Sequence, residues 1–472
     1  MPTSLFQYEM LPTTWFYVSS LMILATFFRF NRFLSVRNLD IVGVIMFAPG
    51  LLCLSMGTSP SDSMTQIGYL WLAVVGFLAF LRMVLDSFMV RRPLLEPNLT
   101  PSSLTFACIT LMTFTVANIV VNRGDKVESA SVLRLEQILT MQSEANGTAS
   151  TRFLSRPGYQ PFLSLTEATN RFLAPAALFR DHFSLRSGAP NNSKFNAAST
   201  YNATDYSDSS EQNQMSFGTS RKVTFEGVVL LVCIALIQLG ILLGMIFIGH
   251  CHFGNIKTGI AAAMFYLLLP YVTQMTGTLD HFLPGLLIVS AVLIYRRPLF
   301  SGVLIGMAGV LVFYPFFLLP LWASFYYRRG LFRFLLGAFS AVLAMSIALL
   351  SSPESLGSYP EQLALLFGHH SLRVPYYDGL WSFCPTIYRI PIVAFFGVFC
   401  FGLLLWPARK NLATLISCSA IVMLGVQFWI GNQGGLYMAW YLPLLILTIF
   451  RPNLEDRVAT ATVTEVSAGG NG

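Results

Sequence analysis

Continuous apolar segments alternate with short polar connections along most of this chain. Eleven apolar segments are long enough to form helices in a bilayer, near residues 12–28, 41–56, 67–85, 103–121, 226–248, 258–276, 282–295, 331–350, 391–406, 412–430 and 435–450. Their apolar positions are unbroken and do not follow the every-other-residue pattern of a membrane β-strand. The pattern therefore predicts an all-α polytopic membrane protein with about 11–13 transmembrane helices.

A further apolar block, 300–327, is too long for one ordinary crossing. As a single helix it would measure about 40 Å at about 1.5 Å per residue. Tyr314-Pro315 and Pro320 interrupt it, and arginine pairs flank it on both sides. Because proline breaks the helical hydrogen-bond ladder, we predict a hairpin of two short helices that enters and leaves on one side. A single kinked span is the alternative.

The distribution of basic residues favours the hairpin and predicts the orientation. The short connections 57–66, 276–281 and 431–434 contain no Lys or Arg, whereas the connections on the other side carry them repeatedly. Basic residues are enriched in cytoplasmic loops, so the first set is predicted to be extracytoplasmic. If 300–327 crossed only once, the basic residues at 328–333 and 409–410 would lie on the extracytoplasmic side, and the separation of basic connections from those without Lys or Arg would be lost. The chain is predicted to be a multi-pass protein of the plasma or inner membrane.

Composition and charge agree with a membrane protein and exclude other classes. Of 472 residues, 54% are hydrophobic and 11% are charged, whereas about a quarter are charged in soluble domains. The net charge of +7 is explained by cytoplasmic loops, so no nucleic-acid partner is expected. The seven cysteines show no CxxC pair, which argues against cysteine-based metal or disulfide chemistry.

The chain divides into four predicted regions. Residues 1–121 form an N-terminal four-helix membrane unit, and 122–222 form a large extracytoplasmic loop that is partly helical and then flexible. Residues 223–451 form the transmembrane core, and 452–472 form a disordered cytoplasmic tail. The Asn- and Ser-rich composition of the later part of the loop is typical of segments without a packed core.

Polar side chains collect on the predicted outer face. Carboxylates, imidazoles, an arginine and aromatic rings occur there together, a set that suits a substrate with a phosphate and a hydroxyl-rich group. The candidates are Asp125, Glu128, Asp280, His281, His369, His370, Arg373, Tyr377, Asp378 and Gln433. Asp280 is the only acid between Glu226 and Glu354. A carboxylate kept at a membrane edge is by default a functional-site hypothesis, although Asp280 is also suited to cap a helix.

One part of the chain resembles the GT-C glycosyltransferases, in particular glycosyltransferase family 87, the polyprenyl-phosphate-mannose-type mannosyltransferases. The resemblance covers about residues 226–350. It rests on a span with a polar turn at 274–280, Arg296-Arg297, a small-residue helix at 302–309, and Tyr314-Pro315 followed by Arg328-Arg329. The chain departs from the family in having three spans before the core, and Val312-Phe313 where a lysine is often found.

The resemblance implies a GT-C-like fold and a hexosyltransferase activity. In the family, an acid in the loop after the first core helix is the general base, a position matched by Asp125 or Glu128. The donor would be a polyprenyl-phosphate sugar, with Arg373 and His369 or His370 at its phosphate. Asp280, His281, Tyr377, Asp378 and Gln433 are the other substrate-binding candidates. No cofactor is assigned, and a role for a divalent cation stays open.

Two other functions remain open. A transporter or flippase of lipids or solutes would place polar groups at the membrane midplane, often in two related halves. The ionisable residues of this chain lie at the membrane edges instead, and no internal repeat is apparent. A non-catalytic membrane scaffold with a flexible loop is the third hypothesis. Membrane lipids are expected partners in every case.

Overall fold

The computed structural model describes residues 12–57, 62–86, 95–119, 225–275, 279–327, 329–350, 379–407, 410–431 and 433–452. Within these ranges the regular structure consists of helices. They are α1 (Pro12–Phe27), α2 (Val36–Ile45), α3 (Phe47–Met56), α4 (Ser63–Asp86), α5 (Pro101–Ile119), α6 (Phe225–Cys251), α7 (Ile256–Leu268), α8 (Pro270–Gln274), α9 (Leu279–Leu293), α10 (Pro298–Val312), α11 (Leu319–Phe325), α12 (Leu331–Leu350), α13 (Arg389–Gly402), α14 (Leu412–Val426) and α15 (Leu442–Phe450). Short 3₁₀ turns join several of them, including Tyr314–Leu318, Gly379–Ser382 and Met438–Trp440.

In the described part of the chain, five apolar helices are long enough to cross a bilayer by length and composition. They are Val36–Met56, which joins α2 and α3, together with α4, α5, Leu231–Cys251 in α6 and Leu331–Ala348 in α12. Six further apolar helices are shorter. The prediction of an apolar, all-helical chain is confirmed for the described residues. The number of crossings, the GT-C arrangement, the large loop and the membrane side of each connection remain predictions.

Polar caps determine where several helices begin. The side chains of Ser35 and Asn255 accept hydrogen bonds from backbone N–H groups in the first turns of α2 and α7. Asn411 and Thr414 form a reciprocal capping box at the start of α14. Because the first N–H groups of a helix have no partner within it, these side chains stabilise each start and separate neighbouring helices.

The block 300–327 folds back on itself, as predicted. Phe313 has a φ of 66° and ends α10, after which Phe316 returns to lie against Gly309. The hydroxyl of Tyr326 donates to the carbonyl oxygen of Tyr295, so the two ends of the block meet. The hairpin geometry is confirmed, while the side of the membrane on which it opens remains a prediction.

After the hairpin, α12 packs beside α10 and runs parallel to it. A Cβ placed at Gly306 would lie 2.7 Å from the carbonyl oxygen of Ala338, and one placed at Gly302 would lie even closer to the carbonyl oxygen of Phe334. Gly337 of α12 in turn lies against the carbonyl of Leu299. Small residues on both helices therefore allow direct backbone contact, which is the usual means of tight packing between membrane helices.

The predicted helical span 435–450 requires a correction. Only its second half is helical, because α15 begins at Leu442 with Pro443 in its first turn. Gly435 has a φ of 94°, a conformation that favours glycine and is incompatible with a continuous helix. Residues 433–441 instead form an irregular segment within the protein, here called the buried loop, whose residues Tyr437 to Tyr441 are at most 1% exposed.

A buried ion network connects the N-terminal helices to the last helix. Arg82 lies 3.4 Å from Asp86, four residues further along α4, and also binds both carboxylate oxygens of Asp40 at 2.6 and 2.7 Å. Arg451 donates to Asp86 at 2.6 Å. Burial, together with the nearby charge of Arg82, lowers the pKa of Arg451 to about 10, so this residue stays charged at neutral pH.

Candidate functional site

Three of the predicted site residues fall within the described ranges: Asp280, His281 and Gln433. The structure brings all three to the same end of the helix bundle, around the buried loop. The other predicted site residues lie outside the described ranges: Asp125, Glu128, His369, His370, Arg373, Tyr377 and Asp378. That Asp280, His281 and Gln433 share one pocket with these seven residues therefore stays a prediction.

Asp280 and His281 lie in the first turn of α9 and are buried. Asp280 is 5% exposed and His281 is 3% exposed. A carboxylate near a helix N-terminus is stabilised by the positive end of the helix dipole. The helix begins at Leu279, so Asp280 is inside the first turn, whereas helix capping by aspartate would place it one position before the first turn.

Pro284 connects Asp280 to the buried loop. Proline has no N–H, so the carbonyl oxygen of the residue four positions earlier, Asp280, has no donor within α9. The indole Nε1–H of Trp440 supplies that donor at 3.1 Å. Gly285 makes this approach possible, because its Cα lies directly against the carbonyl of Ala439 and a side chain would collide there.

His281 is held by a chain of hydrogen bonds that also fixes the buried loop. The hydroxyl of Tyr271 lies 2.9 Å from Nδ1 of His281 and accepts the backbone N–H of Ala439 at 3.1 Å. The ring of His281 forms a further hydrogen bond with the backbone of Leu436. Tyr271 thus connects the first turn of α9 to the buried loop through its single hydroxyl group.

The buried loop is stabilised by side chains because its backbone is irregular. The side-chain oxygen of Gln427 accepts the N–H groups of Gly435 and Tyr437 at 3.1 and 3.3 Å. The Tyr437 ring stacks on Trp440 at 4.5 Å and lies 4.6 Å from the His281 ring. Buried backbone groups need partners, and Gln427 provides them where a helix would otherwise do so.

Gln433 lies at the edge of the same cluster. It is half-buried and has a φ of 48°, an uncommon value for a residue with a side chain. Gly379, which directly follows Asp378 in the chain, packs against the Cα of Gln433 and the ring of Tyr69. Gly379, the neighbour of Asp378 in the chain, therefore contacts Gln433, and both Asp378 and Gln433 are predicted substrate-binding residues.

A narrow cleft adjoins Gln433 between α4, α14 and the buried loop. Its empty volume of about 320 Å³ includes the solvent at its mouth. Tyr69, Gln427 and Tyr441 are its polar lining residues, and Leu72, Leu424 and Phe428 belong to its apolar wall. The cleft is thus mainly apolar with a few polar groups, and its interior has room for about one water molecule.

Asp280 places a buried acidic side chain at this end of the bundle. Within the described ranges no salt bridge involves its carboxylate, whereas Asp40 and Asp86 at the other end pair with arginines. A buried carboxylate is costly unless it finds donors, and hydroxyl groups are suitable neutral donors. The Asp280 carboxylate can therefore accept hydrogen bonds from hydroxyl groups.

Sequence reasoning did not identify the residues that hold this site together. Tyr271, Gln427, Tyr437 and Trp440 were read as parts of apolar spans, and only their long-range contacts reveal their role. One signal was present. Pro284, four residues after Asp280, indicates that the carbonyl of Asp280 needs a donor from elsewhere.

The hypothesis of a divalent cation gains no ligand set from the described part of the chain. There, no group of three or more His, Cys, Asp or Glu side chains is close enough to hold a metal ion. His281 already uses its ring in hydrogen bonds to Tyr271 and to the backbone of Leu436, so one of these bonds would have to break before it could bind a metal.

Comparison with known proteins adds no assignment to this geometry. No protein-family model, no curated protein and no solved structure matches the chain.

Proposed function

We propose that this chain is an integral-membrane glycosyltransferase that moves a sugar, mannose in the family it resembles, from a polyprenyl-phosphate donor to an extracytoplasmic acceptor. The observation that carries the proposal is the buried carboxylate of Asp280. It lies inside an apolar bundle, next to an aromatic cluster, with no salt-bridge partner in the described ranges. Sugars offer hydroxyl donors to a carboxylate and apolar faces to aromatic rings.

In this mechanism the acceptor hydroxyl attacks the anomeric carbon of the donor. A new glycosidic C–O bond forms, the C–O bond to the lipid phosphate breaks, and polyprenyl phosphate leaves with the electron pair. Asp125, or Glu128, takes the proton of the attacking hydroxyl, a step that typically contributes about 10² to 10⁴ in rate. Asp280 accepts hydrogen bonds from sugar hydroxyls, and Arg373 binds the phosphate.

The test is sugar transfer by the full-length chain in proteoliposomes, with a radiolabelled polyprenyl-phosphate mannose as donor. Asp280→Asn keeps the size of the side chain but removes its charge. A hydrogen bond to a charged group is worth about 1.5–3 kcal/mol, so transfer should fall about tenfold to a hundredfold. The measurement is the initial rate at saturating acceptor.

Glu96→Gln is the matched control. Glu96 is an exposed carboxylate whose side chain is 67% exposed, and it pairs only weakly with Arg29 at 3.5 Å. Its variant should transfer sugar at the wild-type rate. A wild-type rate for Asp280→Asn, with thermal unfolding unchanged in both variants, would show that Asp280 does not bind the substrate.

One observation favours the transporter hypothesis as a second candidate. Gln238 lies within α6 and is completely buried, and neither atom of its side-chain amide has a hydrogen-bond partner among the described residues. A polar group within a membrane helix is often part of a solute path. Gln238→Leu should leave sugar transfer intact if the chain is an enzyme. Loss of solute or lipid translocation in Gln238→Leu, without any transferase activity in the wild type, would favour the transporter.

A further inference from the structure

Four arginines lie together where α10 and α12 begin: Arg296, Arg297, Arg329 and Arg333, here called the basal arginine patch. They are far apart in the chain, but the hairpin brings them to one place. A Cβ at Gly330 would lie 2.8 Å from the ring of Pro298, and Tyr326 bonds to Tyr295. The starts of both helices are therefore neighbours.

Three arginines of the patch, Arg296, Arg297 and Arg333, have no acidic residue near them in the sequence. All four arginines are exposed, and the sequence contains no Asp or Glu from residue 281 to residue 353. Among the described residues no salt bridge involves Arg296, Arg297 or Arg333. Arg29 and Arg82, by comparison, each pair with a carboxylate. Arg296, Arg297 and Arg333 therefore place positive charge at this surface.

Exposed apolar side chains flank the arginines. Phe332 is 77% exposed, Tyr327 is 62% exposed and Phe300 is 52% exposed. Large apolar groups beside basic groups are expected where the surface of a protein passes from hydrocarbon to lipid headgroups. A soluble anionic partner would gain nothing from these rings, whereas a phospholipid offers both acyl chains and a phosphate.

We propose that the basal arginine patch is a binding site for the headgroup of an anionic membrane phospholipid. Arginine suits phosphate because its planar fork donates two parallel hydrogen bonds. An anionic lipid also pairs with this positive charge, and its chains cover Phe300 and Phe332. The site is distinct from the proposed transferase site, because roughly sixteen residues of helix separate Arg296 from Asp280, or about 24 Å.

The test measures the binding of short-chain phosphatidylglycerol to the full-length protein in a neutral detergent. Short-chain phosphatidylcholine and inorganic phosphate are the comparison ligands. Each arginine near an anionic lipid surface contributes about 1 kcal/mol, so the double variant Arg296→Gln/Arg297→Gln should bind phosphatidylglycerol on the order of tenfold or more weakly. Phosphatidylcholine and inorganic phosphate should bind weakly to every form.

Arg29→Gln is the matched control, since Arg29 is an exposed arginine with an acidic partner. It should bind phosphatidylglycerol like the wild type. Equal losses in Arg29→Gln and in the double variant would overturn the proposal, as would inorganic phosphate binding as tightly as the lipid. If the double variant does not fold, salt dependence of the wild type decides the question, because lipid binding that does not weaken in high salt is not carried by arginines.

Discussion

At the scale of single residues, Pro284 and Trp440 together link a missing backbone hydrogen bond in α9 to the position of the buried loop. Pro284 leaves the carbonyl of Asp280 without a helical donor, and Trp440, 160 residues further on, replaces it. The same turn holds the Asp280 carboxylate proposed to bind substrate. The donor therefore both satisfies a buried polar group and fixes the position of the first turn of α9.

Replacing Trp440 by Phe removes this donor and leaves the Asp280 carbonyl without a partner. A buried acceptor that loses its partner costs about 1–3 kcal/mol. The control is Trp429→Phe. Trp429 is also buried, but its Nε1 has no partner among the described residues. Trp440→Phe should therefore lower the unfolding temperature clearly more than Trp429→Phe, and equal shifts would show that the hydrogen bond contributes little.

At the scale of helices and loops, the tightest contact is the parallel pair of α10 and α12. Gly302, Gly306 and Gly337 permit backbone contact between them, and the hairpin holds their starts together. Together with the hairpin, this pair brings the arginines of the basal arginine patch to one place.

Gly306→Ala would place a methyl group 2.7 Å from the carbonyl oxygen of Ala338, so the two helices must separate. Overpacking of this kind typically costs about 1–3 kcal/mol. Gly397→Ala in α13 is the control, because nothing lies within 4 Å of its Cβ position. There the gain in helix propensity, about 0.5–1 kcal/mol, should dominate. Thermal unfolding should shift down for the first variant and not for the second.

Local patterns in the sequence predicted the helices better than the site. The run 67–85 and the break at Tyr314-Pro315 were readable because apolar continuity and proline act over a few residues. The segment 435–441 was misread as helical because its aromatic residues are as apolar as those of a span. Its true conformation depends on Gln427 and on Tyr271, and contacts between segments so distant leave no periodic signal.

At the scale of the whole molecule, the ion network joins the end of α4 to the residue that follows α15. Asp86 closes α4, and Arg451 follows directly after the last helix. The network was predictable only where its partners are close in sequence, as with Arg82 and Asp86. The contact between Asp86 and Arg451 spans 365 residues, and no local pattern indicates it.

Asp86→Asn should destabilise the whole bundle. Removing one member of a buried pair leaves the other charge uncompensated, at a cost of about 3–5 kcal/mol. Glu96→Gln removes an exposed partner of Arg29 instead, and surface pairs of this kind contribute at most about 1 kcal/mol. Thermal unfolding in neutral detergent compares the two. Similar small shifts would mean that the Asp86 network is not a stabilising contact.

The placement of Arg451 has a consequence for biogenesis. Helix α4 is synthesised early. Arg451, which binds the carboxylate of Asp86 at the end of that helix, is translated only after α15. A nascent chain that stops before residue 451 therefore lacks the cation that lies 2.6 Å from the Asp86 carboxylate, and the longer pair with Arg82 at 3.4 Å remains. Premature termination just upstream of Arg451 should therefore yield a less stable product even though all preceding helices are present.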